Sequence, residues 1–238
     1  MADRNETAPT SAQVAFAWGV HFYTAFGAVL GFLALWAAFQ QNYTEVFWLL
    51  SVALLVDSTD GTFARRARVK QVVPWINGEQ LDNIVDYLTY VVVPVAIFVQ
   101  PGILPHGTQS LALLVLLASA YGFSRTDAKG FVEHYFQGFP SYWNVVAFYY
   151  VILETNPTFN LLLLMVFVAL VFVPMRWLYP SRMEKQRTQA LALGALWAVM
   201  GLTLIWQMPH PSKTLGWISL FYPLYYTVMS VRYHFSTE

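Results

Sequence analysis

Long apolar runs recur along the chain, separated by short polar stretches. A helix needs about 20 residues to cross a hydrocarbon core about 30 Å thick. Segments 13–39, 44–66, 79–99, 108–124, 141–154, 157–175, 189–207 and 214–232 meet or approach that length. Glu154-Thr155-Asn156-Pro157 makes the turn after the fifth, and Pro174 and Pro180 mark the exit from the sixth. No unit with a period of roughly 20–50 residues repeats, which argues against a solenoid. The pattern predicts an all-α fold, a polytopic membrane helical bundle of about eight transmembrane helices. Residues 1–12 read as a polar cytoplasmic tail rather than a signal peptide, and 13–238 as one transmembrane domain.

Composition agrees with this. The chain is 57% hydrophobic and 11% charged, against about 25% charged for ordinary soluble domains. Its 13 basic and 13 acidic residues balance, so there is no electrostatic footprint for nucleic acid. There are no cysteines, which excludes disulfides and thiolate metal sites.

The distribution of charge orients the bundle. Loops 65–77, 124–140 and 174–188 hold Arg65, Arg66, Arg68, Lys70, Arg125, Lys129, Arg176, Arg182, Lys185 and Arg187. Arg4 and Arg232 lie at the termini, and only Lys213 falls on the opposite side. The positive-inside rule makes the loop-rich face cytoplasmic and puts both termini there. Trp75, Trp143, Trp177, Tyr179 and Trp217, near span ends, are expected as interfacial anchors.

Acids inside the apolar helices carry the chemistry. Asp57 and Asp60 close the second segment and Asp82 and Asp86 open the third, beside the basic loop. Asp57 and Asp60 are three apart, with Gly61 and Ala64 continuing their stripe, while Gly78, Asp82 and Asp86 step by four. Each set therefore shares a helix face, and two antiparallel neighbours can bring the faces together. One carboxylate at a helix centre costs about 2.5–3.5 kcal/mol on insertion scales, so four cost on the order of 10 kcal/mol without counter-charge. Arg65 is one counter-charge. Oxygen-only ligands suit a hard divalent cation, Mg²⁺ or Mn²⁺, better, and such ions commonly serve diphosphate chemistry. Glu79, three residues before Asp82, is a candidate extra ligand; His21 is a candidate ligand or a packing histidine.

Taken in order, Asp57-x2-Asp60-Gly61-x2-Ala64-Arg65-x12-Gly78-x3-Asp82-x3-Asp86 resembles the signature of the CDP-alcohol phosphotransferases, membrane enzymes that displace CMP from a CDP-linked substrate with an alcohol. The spacer after Arg65 is longer than in most members. That spacer, the number of spans and the segment FQGFPSYWN (136–144) resemble the bacterial phosphatidylcholine synthase subfamily, which joins CDP-diacylglycerol to choline. The resemblance implies one or two Mn²⁺ or Mg²⁺ ions on Asp57, Asp60, Asp82 and Asp86, with Asp86 also the catalytic base. It implies a CDP pocket at Asp57, Gly61, Ala64, Arg65 and Gly78. It also implies a homodimer in the bacterial inner membrane, with the active site near the cytoplasmic face and with phosphatidylcholine and CMP as products.

Choline's trimethylammonium has no hydrogen-bond donor, so aromatic faces and a carboxylate suit it. Connection 121–144 supplies both, and Glu133, Tyr142, Trp143 and Asn144 are the expected contacts. Arg125 is the candidate for a lipid phosphate. Two alternatives use the same residues. One is the same transfer to serine, glycerol-3-phosphate or inositol phosphate; the other is a cation-coupled transporter.

Overall fold

The computed structural model describes residues 9–125, 135–178 and 187–236. The helices are α1 (Ser11–Phe39), α2 (Tyr43–Arg66), the single turn α3 (Val69–Val72), α4 (Gly78–Phe98) and α5 (Gln109–Ser124). They continue with α6 (Trp143–Leu153), α7 (Pro157–Phe172), α8 (Arg187–Trp206), α9 (Lys213–Ser219) and α10 (Phe221–Ser236). Helices α1, α2, α4 and α8 are long and apolar enough to cross a membrane; α5, α6 and α7 are apolar but shorter. The segment expected at 214–232 is divided between α9 and α10. Pro223, in the first turn of α10, lacks the amide hydrogen that would bond back across the break.

Local chemistry sets the helix starts. Thr10 and Gln13 form a reciprocal capping box on α1. Asn42, Asn77, Asn156 and Ser212 each accept a backbone N–H at the start of α2, α4, α7 and α9. Pro157 fills the first position of α7, where no amide hydrogen is needed.

Among the described residues the helical fold carries one short sheet that the periodicity did not show. Strands β1 (Tyr135–Gln137) and β2 (Arg176–Leu178) pair antiparallel, with Phe136 opposite Trp177. Gly138 ends β1 at φ +84°, and a Cβ there would lie within 2.4 Å of the Val171 carbonyl oxygen. The chain thus crosses the end of α7 so closely that only glycine fits. Gly138 donates to the Met175 carbonyl at 2.9 Å, and Phe139 to that of Leu170 at 3.0 Å. This crossing delivers residues 141–144 to the start of α6. It also changes two expectations, because Trp143 and Trp177 are buried rather than interfacial. Trp75 and Trp217 are exposed as an interfacial anchor requires, and Tyr179 lies outside the described residues.

Packing places α1 against both acid-bearing helices. Its Gly27 and Gly31 lie so close to α4 that a Cβ would come within 2.6 Å of Val85 Cγ1 and 2.7 Å of Leu88 Cδ2. Small residues four apart allow this approach between membrane helices. The main apolar core gathers at the far ends of these three helices, from Ala34, Ala37 and Ala38, Val46, Phe47 and Leu50, and Val91 to Phe98, against α6. The acids lie at the other end of the same helices, outside that cluster.

Gly27→Leu drives a side chain into β-branched Val85. Overpacking of this kind costs about 1–3 kcal/mol. A lower unfolding temperature of the detergent-solubilised protein is expected, whereas Gly19→Leu, at a position with open space around its Cβ, leaves it near wild type.

Candidate metal centre

Three of the four expected acids meet. One oxygen each from Asp57 on α2 and from Asp82 and Asp86 on α4 lies within 4.8 Å of the other two, in a partly exposed setting. Asp60 is not among them. Three residues along a helix turn about 300°, so Asp60 stands roughly 60° around α2 from Asp57. Asp57 faces α4, and buried Asp60 faces α1, where its Oδ2 accepts the Thr24 hydroxyl at 2.8 Å. Asp82 and Asp86, four apart, diverge by only about 40° and stay together. Glu79 is exposed and is not part of the group.

The donor set fits a hard divalent ion. Oxygens about 2.1 Å from one Mg²⁺ are at most about 4.2 Å apart, so a small rotation brings all three onto a common ion. Like charges this close repel strongly. At about 4 Å and an effective dielectric of 20, two unit charges interact by about 4 kcal/mol. A cation turns that repulsion into attraction.

The other motif residues sit around this group. The Arg65 guanidinium folds back along α2, where Nη2 donates to Thr62 Oγ1 at 3.0 Å. Its Nη1 lies 3.4 Å from where a Cβ of Gly61 would be, an ordinary contact distance. Ala64 packs beside the cluster of Ala67, Val69, Val72 and Val73. Gly78 opens α4 against α1, and a Cβ there would lie 3.2 Å from His21 Cε1. His21 is buried, and its Nε2 has no hydrogen-bond partner among the described residues.

Two residues of this arrangement escaped the sequence reading. Tyr90 donates its hydroxyl to Asp57 Oδ2 at 2.8 Å, and it lies within electrostatic reach of Asp86 and Tyr142. The signal was present, since the step Gly78, Asp82, Asp86 continues to Tyr90. Tyr90 occupies a π-helical stretch, Tyr87–Val92, a local form found often at functional sites. Thr24, the partner of Asp60, gave no signal because a lone threonine in an apolar helix has no distinctive spacing.

The expected acceptor contacts separate. Tyr142 is partly exposed and its ring packs 5.9 Å from that of Tyr226. Trp143 corrects the expectation. It is fully buried, donates Nε1 to Ser119 Oγ at 2.8 Å and packs against Phe139 at 5.0 Å, so no ring surface is left for a ligand. Asn144 is partly buried in the first turn of α6. Arg125 ends α5 with its guanidinium 6.0 Å over the Tyr121 ring. Glu133 lies outside the described residues.

Tyr90→Phe keeps the ring and removes the hydrogen bond that orients Asp57. Groups that orient metal ligands typically contribute 10–100-fold to affinity. Manganese titration followed by electron paramagnetic resonance is expected to show Mn²⁺ binding weakened by roughly tenfold, with the unfolding temperature little changed.

Searched against protein-family models, the chain matches none. Comparison with curated proteins finds clear relatives. It is 35% identical over 234 residues to a phosphatidylcholine synthase of Legionella pneumophila, covering 91% of each chain. It is 40% identical over 195 residues to that of Pseudomonas aeruginosa, covering 81% of each. With that of Mesorhizobium japonicum it shares 38% identity over 186 residues, 78% of this chain and 69% of the relative. These matches cover between 78% and 91% of the chain. The chain belongs to the phosphatidylcholine synthase family.

Proposed function

We propose that this protein transfers the phosphatidyl group of CDP-diacylglycerol to choline, forming phosphatidylcholine and releasing CMP. The observation that carries the reading is the meeting of Asp57, Asp82 and Asp86 from two helices, in a chain whose curated relatives are named phosphatidylcholine synthase. Membership of that family also speaks against the transporter alternative.

In this reading Asp57, Asp82 and Asp86 hold Mn²⁺ or Mg²⁺, with Asp60 beside them as a ligand to a second ion or as the anchor of α2 to α1. Bound there, the metal supplies positive charge to the diphosphate and to the CMP leaving group. Gly61, Ala64 and Gly78 let the nucleotide approach the helix backbones, and Arg65 offers a guanidinium to its phosphates. Asp86 accepts the proton of the choline hydroxyl as its oxygen attacks the phosphorus next to the diacylglycerol. The new O–P bond forms while the P–O bond to CMP breaks, and the proton passes from Asp86 to solvent. A carboxylate is a weak base for an alcohol, so Asp86 acts mainly as the hydroxyl becomes acidic in the transition state. The displacement is in line and inverts phosphorus.

The apolar segments are read as about eight spans of a bacterial inner-membrane protein, with both termini and the acid cluster toward the cytoplasm. The basic loops support this orientation. Glu133, Tyr142 and Asn144 remain the acceptor contacts of this reading, Arg125 its lipid-phosphate contact, and a homodimer its assembly.

Purified protein is assayed with CDP-diacylglycerol, Mn²⁺ or Mg²⁺ and labelled choline, serine, glycerol-3-phosphate or inositol phosphate. Phosphatidylcholine and CMP are expected with choline only, and chelation abolishes both. Asp86→Asn is expected to lower turnover by at least about 10²-fold, with Mn²⁺ binding measured separately to distinguish a lost base from a lost ligand. Transfer to another alcohol, or activity that survives complete chelation, overturns the reading.

A further inference from the structure

A row of tyrosines leads away from the carboxylates toward the last helix. Tyr90 bonds Asp57 at 2.8 Å and lies within electrostatic reach of Asp86 and Tyr142. Tyr142 packs 5.9 Å from Tyr226 with the rings inclined at 60°. Tyr226 is fixed from behind. Its hydroxyl donates to the Leu178 carbonyl at 3.0 Å, its ring stacks 5.9 Å from buried Trp177, and Ser230 on the same helix accepts from the Leu178 amide at 3.2 Å. The β1–β2 pair thus holds α10 so that Tyr226 faces Tyr142, itself set by the crossing at Gly138.

The chemistry of this row is specific. Tyr90 and Tyr226 have their hydroxyls committed to Asp57 and Leu178, yet all three tyrosines keep exposed surface. What they offer a ligand is ring faces more than hydrogen bonds. Ring faces beside carboxylates attract a cation, and one without donors loses nothing by leaving its hydroxyl partners behind. A primary ammonium is a compact, strongly hydrated charge with three donors, and these rings do not replace its water. We infer that Tyr90, Tyr142 and Tyr226 form the cation subsite of the acceptor, selective for a quaternary ammonium, with Tyr226 the residue that sets the selection. The inference rests on the choline reading above and places the selecting residue more than 80 positions beyond the segment to which the sequence pointed.

Initial rates with choline and with ethanolamine, at saturating CDP-diacylglycerol, test it on wild type, Tyr226→Leu and Tyr226→Phe. Tyr226→Leu is expected to raise the choline KM by roughly tenfold or more and to reduce the preference for choline over ethanolamine, with the KM for CDP-diacylglycerol within about twofold of wild type. Tyr226→Phe keeps the face and is expected to stay near wild type for choline. If Tyr226→Leu does not yield monodisperse protein, Tyr142→Leu carries the same expectation. A folded leucine variant with unchanged choline KM and unchanged preference overturns the inference and leaves the choline reading standing. Wild-type protein that does not use choline at all overturns the reading itself.

Discussion

The arrangement depends on three carboxylates held close together near one end of an apolar bundle. Asp57, Asp82 and Asp86 repel one another, and the low-polarity surroundings raise that repulsion. Helix packing, not the acids themselves, must therefore hold them together. The apolar core at the opposite ends of α1, α2 and α4 supplies the adhesion, and the acids sit where the same three helices emerge from it.

Helix α1 contributes to this without carrying any of the three acids. Gly27 and Gly31 let α4 approach, Thr24 bonds Asp60 on α2, and Tyr23 bonds Thr59 at 2.9 Å. A single helix thereby sets the separation of the two that carry the acids. Asp60 is best understood in this light. Its carboxylate is satisfied by a neutral hydroxyl in a buried position, so within the described structure it joins α2 to α1 rather than enlarging the triad.

The proposed acceptor side is built by longer-range contacts. Gly138 brings the chain across the end of α7, Tyr142 follows at the start of α6, and α10 is fixed against β2. The proposed metal-binding face thus comes from residues 57–86, and the proposed acceptor face draws on residues as distant in the chain as Tyr226. Tyr90 joins them, with its hydroxyl on Asp57 and Tyr142 within its electrostatic reach.

Much of this was legible from local patterns. Hydropathy located the first seven apolar segments within a few residues and read the last two helices as one, because it registers the apolar character of short segments and not a break such as that before Pro223. The four-residue step from Gly78 to Asp86 showed a common face, because helical geometry alone fixes it. What tertiary structure decided was which neighbour each face meets. Asp57 and Asp60, similar in sequence, turn toward α4 and α1 and take different partners. Trp143 belongs to the core and Tyr226 to the proposed cation subsite, although Trp143 lies beside Tyr142 in the chain and Tyr226 far from it. The short β1–β2 pair likewise has no periodic signature, since three residues per strand are too few to alternate. Local spacing determines the face on which a side chain stands, and only the packing of distant segments determines what stands opposite.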